Sequence, residues 1–332
     1  MLALNRPQAK SAAIIQLEVI QGSEHWGITG RVVIGIMRKG WLLMLTAVLL
    51  FTTACGANGE MGTKGTGAGG EAGQSTLAKA REQGYITVGF ANENPYAYKE
   101  ADGTLTGEAV EIARVILQRL GIEEMRGELT EFGGLIGGLQ AGRFDMITAG
   151  MFINENRCMQ VAFANPEYSI GEAIAVQKGN PLQLRSYEDI ASSGAKVAVM
   201  TGALEIEYLE KSGVADSQIV IVPDQDAAVN ALQAGRADVI TMTDPALRSR
   251  LEAAQDDKLE RVEAFEQPVI DGSSVRGYGA SAFRQADTEF VEAFNDELAK
   301  LKQSGELLEI LERFGFSEAE LPGEMTAAEL CG

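Results

Sequence analysis

A ten-residue segment occurs twice in this chain and constrains the fold more than any other feature. Residues 139–148 read LQAGRFDMIT and residues 232–241 read LQAGRADVIT, with eight identities in ten positions. Each copy has the pattern of a helix end, a glycine suited to the left-handed conformation, a polar turn and a buried strand. Such junctions are common in α/β proteins, so coincidence is one explanation. The extent of the match favours the other, which is two lobes of similar construction.

Strand and helix patterns alternate around both copies, from about residue 75 to residue 316. Residues 85–91 are predicted to form a buried strand, and residues 107–120 a helix with one apolar stripe. Further strands are predicted at residues 195–200, 219–222 and 238–242, and further helices at residues 203–211 and 226–234. This alternation predicts an α/β fold in which each lobe is a mostly parallel sheet flanked by helices.

The N-terminal part has the features of a lipoprotein export signal in the expected order. Two basic residues follow Met37, and residues 41–54 are apolar except for three threonines, too short a run to span a bilayer as a helix. The run ends in TTAC, which resembles a bacterial lipobox, although a buried strand ending in an ordinary cysteine is an alternative. We predict a lipoprotein signal peptide over residues 37–54 with lipidation at Cys55. Residues 1–36 are interpreted as a mis-assigned N-terminal extension.

Residues 55–75 are rich in glycine and have almost nothing to bury, which predicts a flexible tether. Residues 65–70 read GTGAGG and match the dinucleotide-binding pattern GxGxxG. No predicted strand precedes them and no βαβ unit surrounds them, so we interpret the match as linker composition.

Charge and histidine content exclude several classes of function. The chain has 28 basic and 47 acidic residues, for a net charge of −19, and such a surface repels nucleic acid. The one histidine, His25, precedes the predicted cleavage site. A mature chain without histidine has no histidine-based catalytic triad and no histidine-ligated zinc. We therefore expect no metal and no cofactor.

Ligands of open α/β sheets lie beyond the carboxyl ends of the strands, and those ends can be read from the predicted elements. They carry one cation, one carboxylate, three aromatic rings and a glycine turn that opens a helix whose free N–H groups suit an anion. The candidate ligand-binding residues are Glu93, Tyr96, Phe132, Phe152, Arg157, Thr201, Gly202, Ala203, Thr243 and Asp244.

This set of side chains suits a small zwitterion. Its carboxylate would pair with Arg157, and its delocalised cation would lie among the rings with Glu93 as counter-ion. Each residue also has a structural alternative. Arg157 can be a surface partner of Glu155 or Glu167, Phe132 and Phe152 can be core residues, and Glu93 can cap the local turn.

Residues 77–316 resemble the solute-binding proteins of bacterial ABC importers, of the type that binds polar amino acids. Arg157 followed by the segment FANPEY at residues 163–168 is similar to a motif of that family. The resemblance implies a two-lobed periplasmic-binding-protein fold of type II that closes on its solute. It places lobe 1 at residues 76–175 and 277–332 and lobe 2 at residues 176–276. The two hinge strands are expected near residues 172–177 and 274–280.

The sequence departs from the amino-acid-binding pattern at three positions. Phe152 stands where that pattern has serine or threonine, Thr243 stands where it has the aspartate that binds the ammonium, and Ala203 replaces a threonine. Asp244, next to Thr243, keeps an ammonium site open as an alternative. The segments FANENPYAY at residues 90–98 and TEFG at residues 130–133 resemble the ectoine- and hydroxyectoine-binding members.

The resemblance implies capture of ectoine or hydroxyectoine and delivery to permease subunits by a monomeric, membrane-tethered, extracytoplasmic lipoprotein. Two other functions remain open. One is binding of a different zwitterion, such as a betaine, proline or a polar amino acid. The other is catalysis, since periplasmic dehydratases and lyases share the fold. Without histidine, only Glu93, with Asp244 as a second candidate, qualifies as an acid or base, so we expect no enzyme.

The remaining two cysteines are Cys158, next to Arg157, and Cys331, at the penultimate position. Export favours oxidation, so we predict that they pair and steady the Arg157 loop.

Overall fold

The structure, a computed structural model, describes residues 74–270 and 272–332. Cys55, the expected signal peptide, the N-terminal extension and nearly all of the expected tether lie outside these residues. Within them, no helix is both long and apolar enough to cross a membrane.

The described chain alternates between helices and strands. The helices are α1 (Thr76–Gln83), α2 (Glu108–Arg119), α3 (Leu135–Gln140), α4 (Glu155–Cys158), α5 (Tyr187–Ser193), α6 (Glu205–Lys211), α7 (Gln225–Gln233), α8 (Asp244–Ala254), α9 (Thr288–Ser304), α10 (Glu306–Glu312) and α11 (Ala327–Cys331). The strands are β1 (Tyr85–Phe90), β2 (Tyr98–Lys99), β3 (Leu105–Thr106), β4 (Glu124–Leu129), β5 (Met146–Phe152), β6 (Ala162–Phe163), β7 (Tyr168–Ile170), β8 (Glu172–Gln177), β9 (Val197–Met200), β10 (Ile219–Val222), β11 (Val239–Thr243), β12 (Leu259–Arg261), β13 (Val269–Ile270), β14 (Ser273–Ser274) and β15 (Gly277–Phe283).

Two larger sheets form the two lobes that the repeat predicted. The first has the order β4-β1-β5-β15-β6, with β7 also paired to β15, and the second has the order β10-β9-β11-β8-β12. In each sheet the first three strands are parallel and the rest pair antiparallel. Both sheets are mostly parallel, as predicted, because only β15 in the first sheet and β8 in the second run opposite to the other strands. β8 and β15 each enter a lobe directly from the other lobe. They run antiparallel to their neighbours because they reach the sheet from the opposite end.

The two copies of the repeat occupy equivalent positions in the two lobes. The first copy joins α3 to β5, and the second joins α7 to β11, each the third strand of its parallel set. Gly142 and Gly235 have φ angles of 70° and 66°. Their N–H groups donate to the carbonyls of Leu139 and Leu232 at 3.0 and 3.1 Å, which ends both helices. The repeat is thus a duplicated helix–strand junction.

The chain passes between the lobes earlier than the sequence indicated. β7 pairs with β15 in the first sheet and β8 pairs with β11 in the second, so the first crossover lies at Gly171. The second crossover lies between β12 and β15 and contains the β13–β14 hairpin. The predicted lobe boundaries at residues 175–176 and 276–277 follow the second crossover but miss the first by about one strand, because β8 is already a strand of lobe 2.

Lobe 1 buries two carboxyl groups beside its sheet. Glu108, the first residue of α2, and Glu167 have no exposed surface (0%). No hydrogen-bond partner from the described residues reaches either oxygen of Glu108. Burial, reinforced by the charge of Glu167, raises the pKa of Glu108 well above its usual range. Burial also raises the pKa of Glu167 to about 7, although the Ser281 N–H group and Lys302 act in the opposite direction.

A carboxyl whose pKa is higher in the folded state binds more protons there than in the unfolded chain. Stability is then lost as the pH rises from the ordinary carboxyl value of 4.5 towards the folded-state values. Because Glu108→Gln keeps the shape and cannot ionise, we expect its Tm to exceed that of the wild type by roughly 3–6 °C at pH 8 and to match it at pH 5. Calorimetric scans at both pH values check this, with the exposed Glu123→Gln on the same lobe as control. Equal Tm values for wild type and Glu108→Gln at pH 8 would contradict it.

Candidate functional site

A cavity of about 370 Å³ lies between the lobes, at the carboxyl ends of the parallel strands. Its lining comes from both lobes and consists of Glu93, Tyr96, Phe132, Gly150, Phe152, Arg157, Met200, Ala203, Leu204, Glu205, Gln225 and Thr243. Seven of these residues are among the sequence-derived candidates, namely Glu93, Tyr96, Phe132, Phe152, Arg157, Ala203 and Thr243. The strand-end rule, by which ligands lie beyond the carboxyl ends of the strands, therefore pointed to the region of this cavity.

Arg157 is buried at the edge of the cavity, with 8% of its surface exposed. It lies on the short helix α4, where the side chain of Asn154 caps the helix by accepting from the Arg157 N–H group at 2.8 Å. Its guanidinium donates to the carbonyl oxygen of Phe152 at 2.6 Å and, across the lobes, to that of Gly202 at 2.9 Å. Main-chain carbonyls rather than Glu155 or Glu167 thus hold the guanidinium, which leaves its charge available to an anion.

A disulfide joins Cys158 to Cys331, which ties α4 to the C-terminal helix α11. The Thr326 side chain caps α11, and the Ala327 N–H group donates to the Asn165 side chain at 3.1 Å. The C-terminus is therefore anchored on lobe 1 beside the helix that carries the binding arginine.

Three aromatic rings line the cavity. The Tyr96 hydroxyl of lobe 1 donates to the Thr243 hydroxyl of lobe 2 at 2.6 Å, and its ring stacks on Tyr168 with 5.5 Å between centroids. The Phe132 ring lies 5.5 Å from the Arg157 guanidinium carbon. Phe152 packs beside Tyr168 at 6.2 Å. Phe132 and Phe152 also belong to hydrophobic clusters that include residues of both lobes, so each combines a core position with a surface on the cavity.

Glu93 lines the cavity and lies in a turn that is closed by hydrogen bonds between main-chain groups. The carbonyl of Glu93 accepts from the N–H groups of Tyr96 and Ala97 at 2.8 and 3.0 Å, so the main chain closes the turn. Glu93 is buried, with 6% of the residue's surface exposed. Burial raises the pKa of Glu93 to about 8, with Glu205 acting in the same direction and Arg250 and Arg157 in the opposite one. A cation placed beside Glu93 would restore its charge.

The glycine turn of lobe 2 packs against lobe 1. Gly202 has a φ of +79°, and a Cβ atom there would lie 2.7 Å from the Cα atom of Gly133. Thr201 lies in the same turn and donates its N–H to Val222, outside the cavity lining. The helix after the turn begins at Glu205, two residues later than predicted, because the left-handed Gly202 interrupts the helical conformation. The Gly202 group that meets Arg157 is its carbonyl, so the expected role of this turn as an N–H anion site stays a prediction.

Asp244 does not belong to the cavity. Its carboxylate accepts from Arg248 and Arg261, each at 2.5 Å, and it begins helix α8. It points to this arginine pair, and the residue before it, Thr243, lines the cavity in its place. The structure therefore does not place Asp244, unlike Thr243, in the lining of the cavity. The side chains of consecutive residues at the start of a helix point in different directions. The position of Asp244 next to Thr243 in the sequence therefore did not show where its side chain points.

Sequence reasoning missed the second carboxylate of the cavity. Glu205 is 7% exposed and lies in the first turn of α6, where an acidic residue usually faces solvent and favours the helix dipole. Burial raises its pKa, and the charge of Arg157 lowers it. The missed signal was its position, three residues after the glycine turn that follows β9. Gln225, Met200, Leu204 and Gly150 were also not predicted.

A second cavity of about 680 Å³ shares Glu93, Phe132 and Met200 with the first and opens beside it. Glu131, Asp224 and Asp226 line it, so the mouth of the site is acidic and attracts cations. Nowhere in the described part of the chain do three or more His, Cys, Asp or Glu side chains converge as metal ligands do.

Residues 86–318 match the model of a protein family described as bacterial extracellular solute-binding proteins, family 3. A probable amino-acid ABC transporter periplasmic-binding protein of Sinorhizobium fredii is 37% identical over 246 residues, which cover 73% of this chain and 81% of that protein. The L-cystine-binding protein of Escherichia coli strain K12 is 26% identical over 220 residues, covering 66% of this chain and 78% of that protein.

Solved structures share the fold. The crystal structure of EhuB in complex with hydroxyectoine has a TM-score of 0.71 and 37% sequence identity, covering 77% of this chain and 98% of that chain. An ancestral arginine-binding protein bound to arginine has a TM-score of 0.62 and 28% identity, covering 70% of this chain and 99% of that chain. The fold is thus a type II periplasmic-binding-protein fold, as predicted.

Proposed function

This chain belongs to the bacterial extracellular solute-binding proteins of family 3, and from that premise we propose that it captures ectoine or hydroxyectoine. It is a solute-binding protein of an amino-acid-type ABC transporter, and its relatives are transport proteins rather than enzymes. Two lobes of this kind bind a small solute between them and present it to permease subunits.

One observation carries the proposal. Arg157 and Glu93 are both more than nine-tenths buried and line one cavity together with three aromatic rings. A solute that satisfies both charges carries one anionic and one cationic group. Phe132, Phe152 and Tyr96 offer ring faces, which favour a delocalised or quaternary cation over a compact ammonium ion. Ectoine is a cyclic carboxylate with a delocalised amidinium, so its two charged groups match the charges of this cavity. The similarity of this chain to EhuB, which was solved in complex with hydroxyectoine, supports the proposal.

A polar amino acid is the second candidate, and Glu205 is the observation in its favour. Asp244 is held by Arg248 and Arg261, so an ammonium group would have to reach Glu205 or Glu93 instead. The cystine- and arginine-binding relatives support this candidate.

Calorimetric titration separates the two candidates. We expect ectoine to bind more tightly than glycine betaine, proline, glutamine or arginine. Phe152→Ala should weaken ectoine binding by roughly tenfold, because it removes a ring from the desolvated cation. Asp244→Asn serves as the control and should leave the Kd unchanged, because its side chain lies outside the cavity. Tighter binding of an amino acid than of ectoine, or an unchanged Kd in Phe152→Ala, would contradict the ectoine proposal.

We also propose that Cys55 is the lipidated N-terminus and that the glycine-rich residues 55–75 tether the protein to the outer face of a membrane. Cys55→Ser should then appear in the soluble fraction of cells and still bind solute. Retention of Cys55→Ser in the membrane fraction would point to an uncleaved anchor.

A further inference from the structure

Glu205 has a second carboxyl group behind it. Glu172, the first residue of β8, is 2% exposed and pairs in register with Thr243 of the cavity wall. No donor from the described residues reaches either oxygen of Glu172, and the group that interacts with it is the Glu205 carboxyl. Two neighbouring buried carboxyl groups resist being ionised at the same time, because each negative charge raises the pKa of the other.

The charges of the cavity do not balance around a zwitterion. Glu93 and Glu205 contribute two negative charges and Arg157 one positive charge, while a zwitterionic solute adds none. Among these lining groups, each more than nine-tenths buried, one negative charge is left over. An uncompensated buried charge is costly, and a carboxylate removes it by taking up a proton.

The placement of these groups shows which carboxyl accepts the proton. Glu93 faces the proposed cation, which favours its ionised form. The titratable groups whose charges act on Glu205 are Glu93, Tyr96, Arg157, Glu172, Tyr187 and Tyr208. Arg157 is the one cation among them, and the solute carboxylate offsets its charge. The tyrosines stay neutral near pH 7, so the negative neighbours of Glu205 dominate.

We infer that the Glu172–Glu205 pair takes up one proton when the lobes close on a zwitterionic solute, so that Glu205 meets the solute as a neutral group and makes capture pH-dependent. The inference rests on the proposed zwitterionic solute. Glu93 and Arg157 come from lobe 1 and the acid pair from lobe 2, so parting the lobes admits water to Glu205 and favours its ionised form. In this structure, burial raises the pKa of both Glu172 and Glu205. Closure therefore binds a proton, and affinity falls as the pH rises.

The test is calorimetric titration with ectoine at pH 7 in phosphate and in Tris, two buffers with different heats of ionisation. For the wild type we expect uptake of roughly half a proton to one proton per solute, and a Kd that rises roughly tenfold to a hundredfold from pH 6 to pH 8. Glu205→Gln should bring the proton uptake close to zero and make its Kd insensitive to pH. Glu210→Gln changes an exposed acidic residue of the same helix and is the matched control, and it should keep both the wild-type affinity and the proton uptake.

The outcomes separate this inference from the proposed function. Ectoine binding without proton uptake, or uptake that persists in Glu205→Gln, overturns the inference and leaves the proposed solute standing. If glutamine or arginine binds and ectoine does not, the proposed solute is wrong, and the same buffer comparison with that amino acid then decides the proton linkage.

Discussion

Arg157→Ala should lower the affinity for a zwitterionic solute by roughly a hundredfold or more, as measured by calorimetric titration. The guanidinium is fixed by the carbonyls of Phe152 and Gly202 and is the one cationic side chain in the described cavity lining. Without it, the solute carboxylate enters a closed site with Glu93 and Glu205 and no counter-charge. The variant also loses the contact to Gly202 that joins the lobes.

Arg248→Ala is the matched control, because Arg248 is a largely exposed arginine whose partner is Asp244. We expect its Kd to stay within about twofold of the wild type, since exposed ion pairs contribute little. A Kd for Arg157→Ala within threefold of the wild type, with an unchanged Tm, would show that the solute does not use this arginine.

Gly202→Ala should also weaken binding by roughly a hundredfold, through a different step. A Cβ atom at this position lies 2.7 Å from the Gly133 Cα atom of the opposite lobe, and a φ of +79° is unfavourable for alanine. Main-chain atoms cannot move aside as a flexible side chain can, so the variant should be held away from the closed state. Affinity falls in proportion to the population that can still close.

Gly133→Ala is the control on the other side of the same contact. Its Cβ atom meets the Thr201 carbonyl at 3.5 Å, an ordinary van der Waals distance, and no positive φ is involved. We expect its Kd to stay within about threefold of the wild type. Small-angle X-ray scattering with saturating solute should show compaction for Gly133→Ala and a more open form for Gly202→Ala. Equal affinities of the two variants would contradict the role of this contact in closure.

The sequence by itself determined the two-lobed α/β architecture and most of the cavity. The duplicated junction at residues 139–148 and 232–241 predicted two equivalent lobes, because helix C-caps and buried strands have strong local signatures. The strand-end rule then placed Glu93, Tyr96, Phe152 and Arg157 at one edge. These residues could be found because a strand's end fixes the direction in which the next residues leave the sheet.

The tertiary structure decided everything that depends on pairing between distant segments. It placed one reversed strand in each mostly parallel sheet, because β8 and β15 enter from across the lobes. It moved the first crossover to Gly171 and turned Asp244 towards Arg248 and Arg261.

Glu205 is the clearest case of what only the tertiary structure decided. Its sequence context, the first turn of a polar helix, is the same whether the side chain faces water or a cavity. Local propensity depends on neighbours within one turn, whereas burial depends on which lobe closes over that turn. The second carboxylate of the site, and with it the charge balance of the cavity, therefore became visible only when the two lobes were brought together.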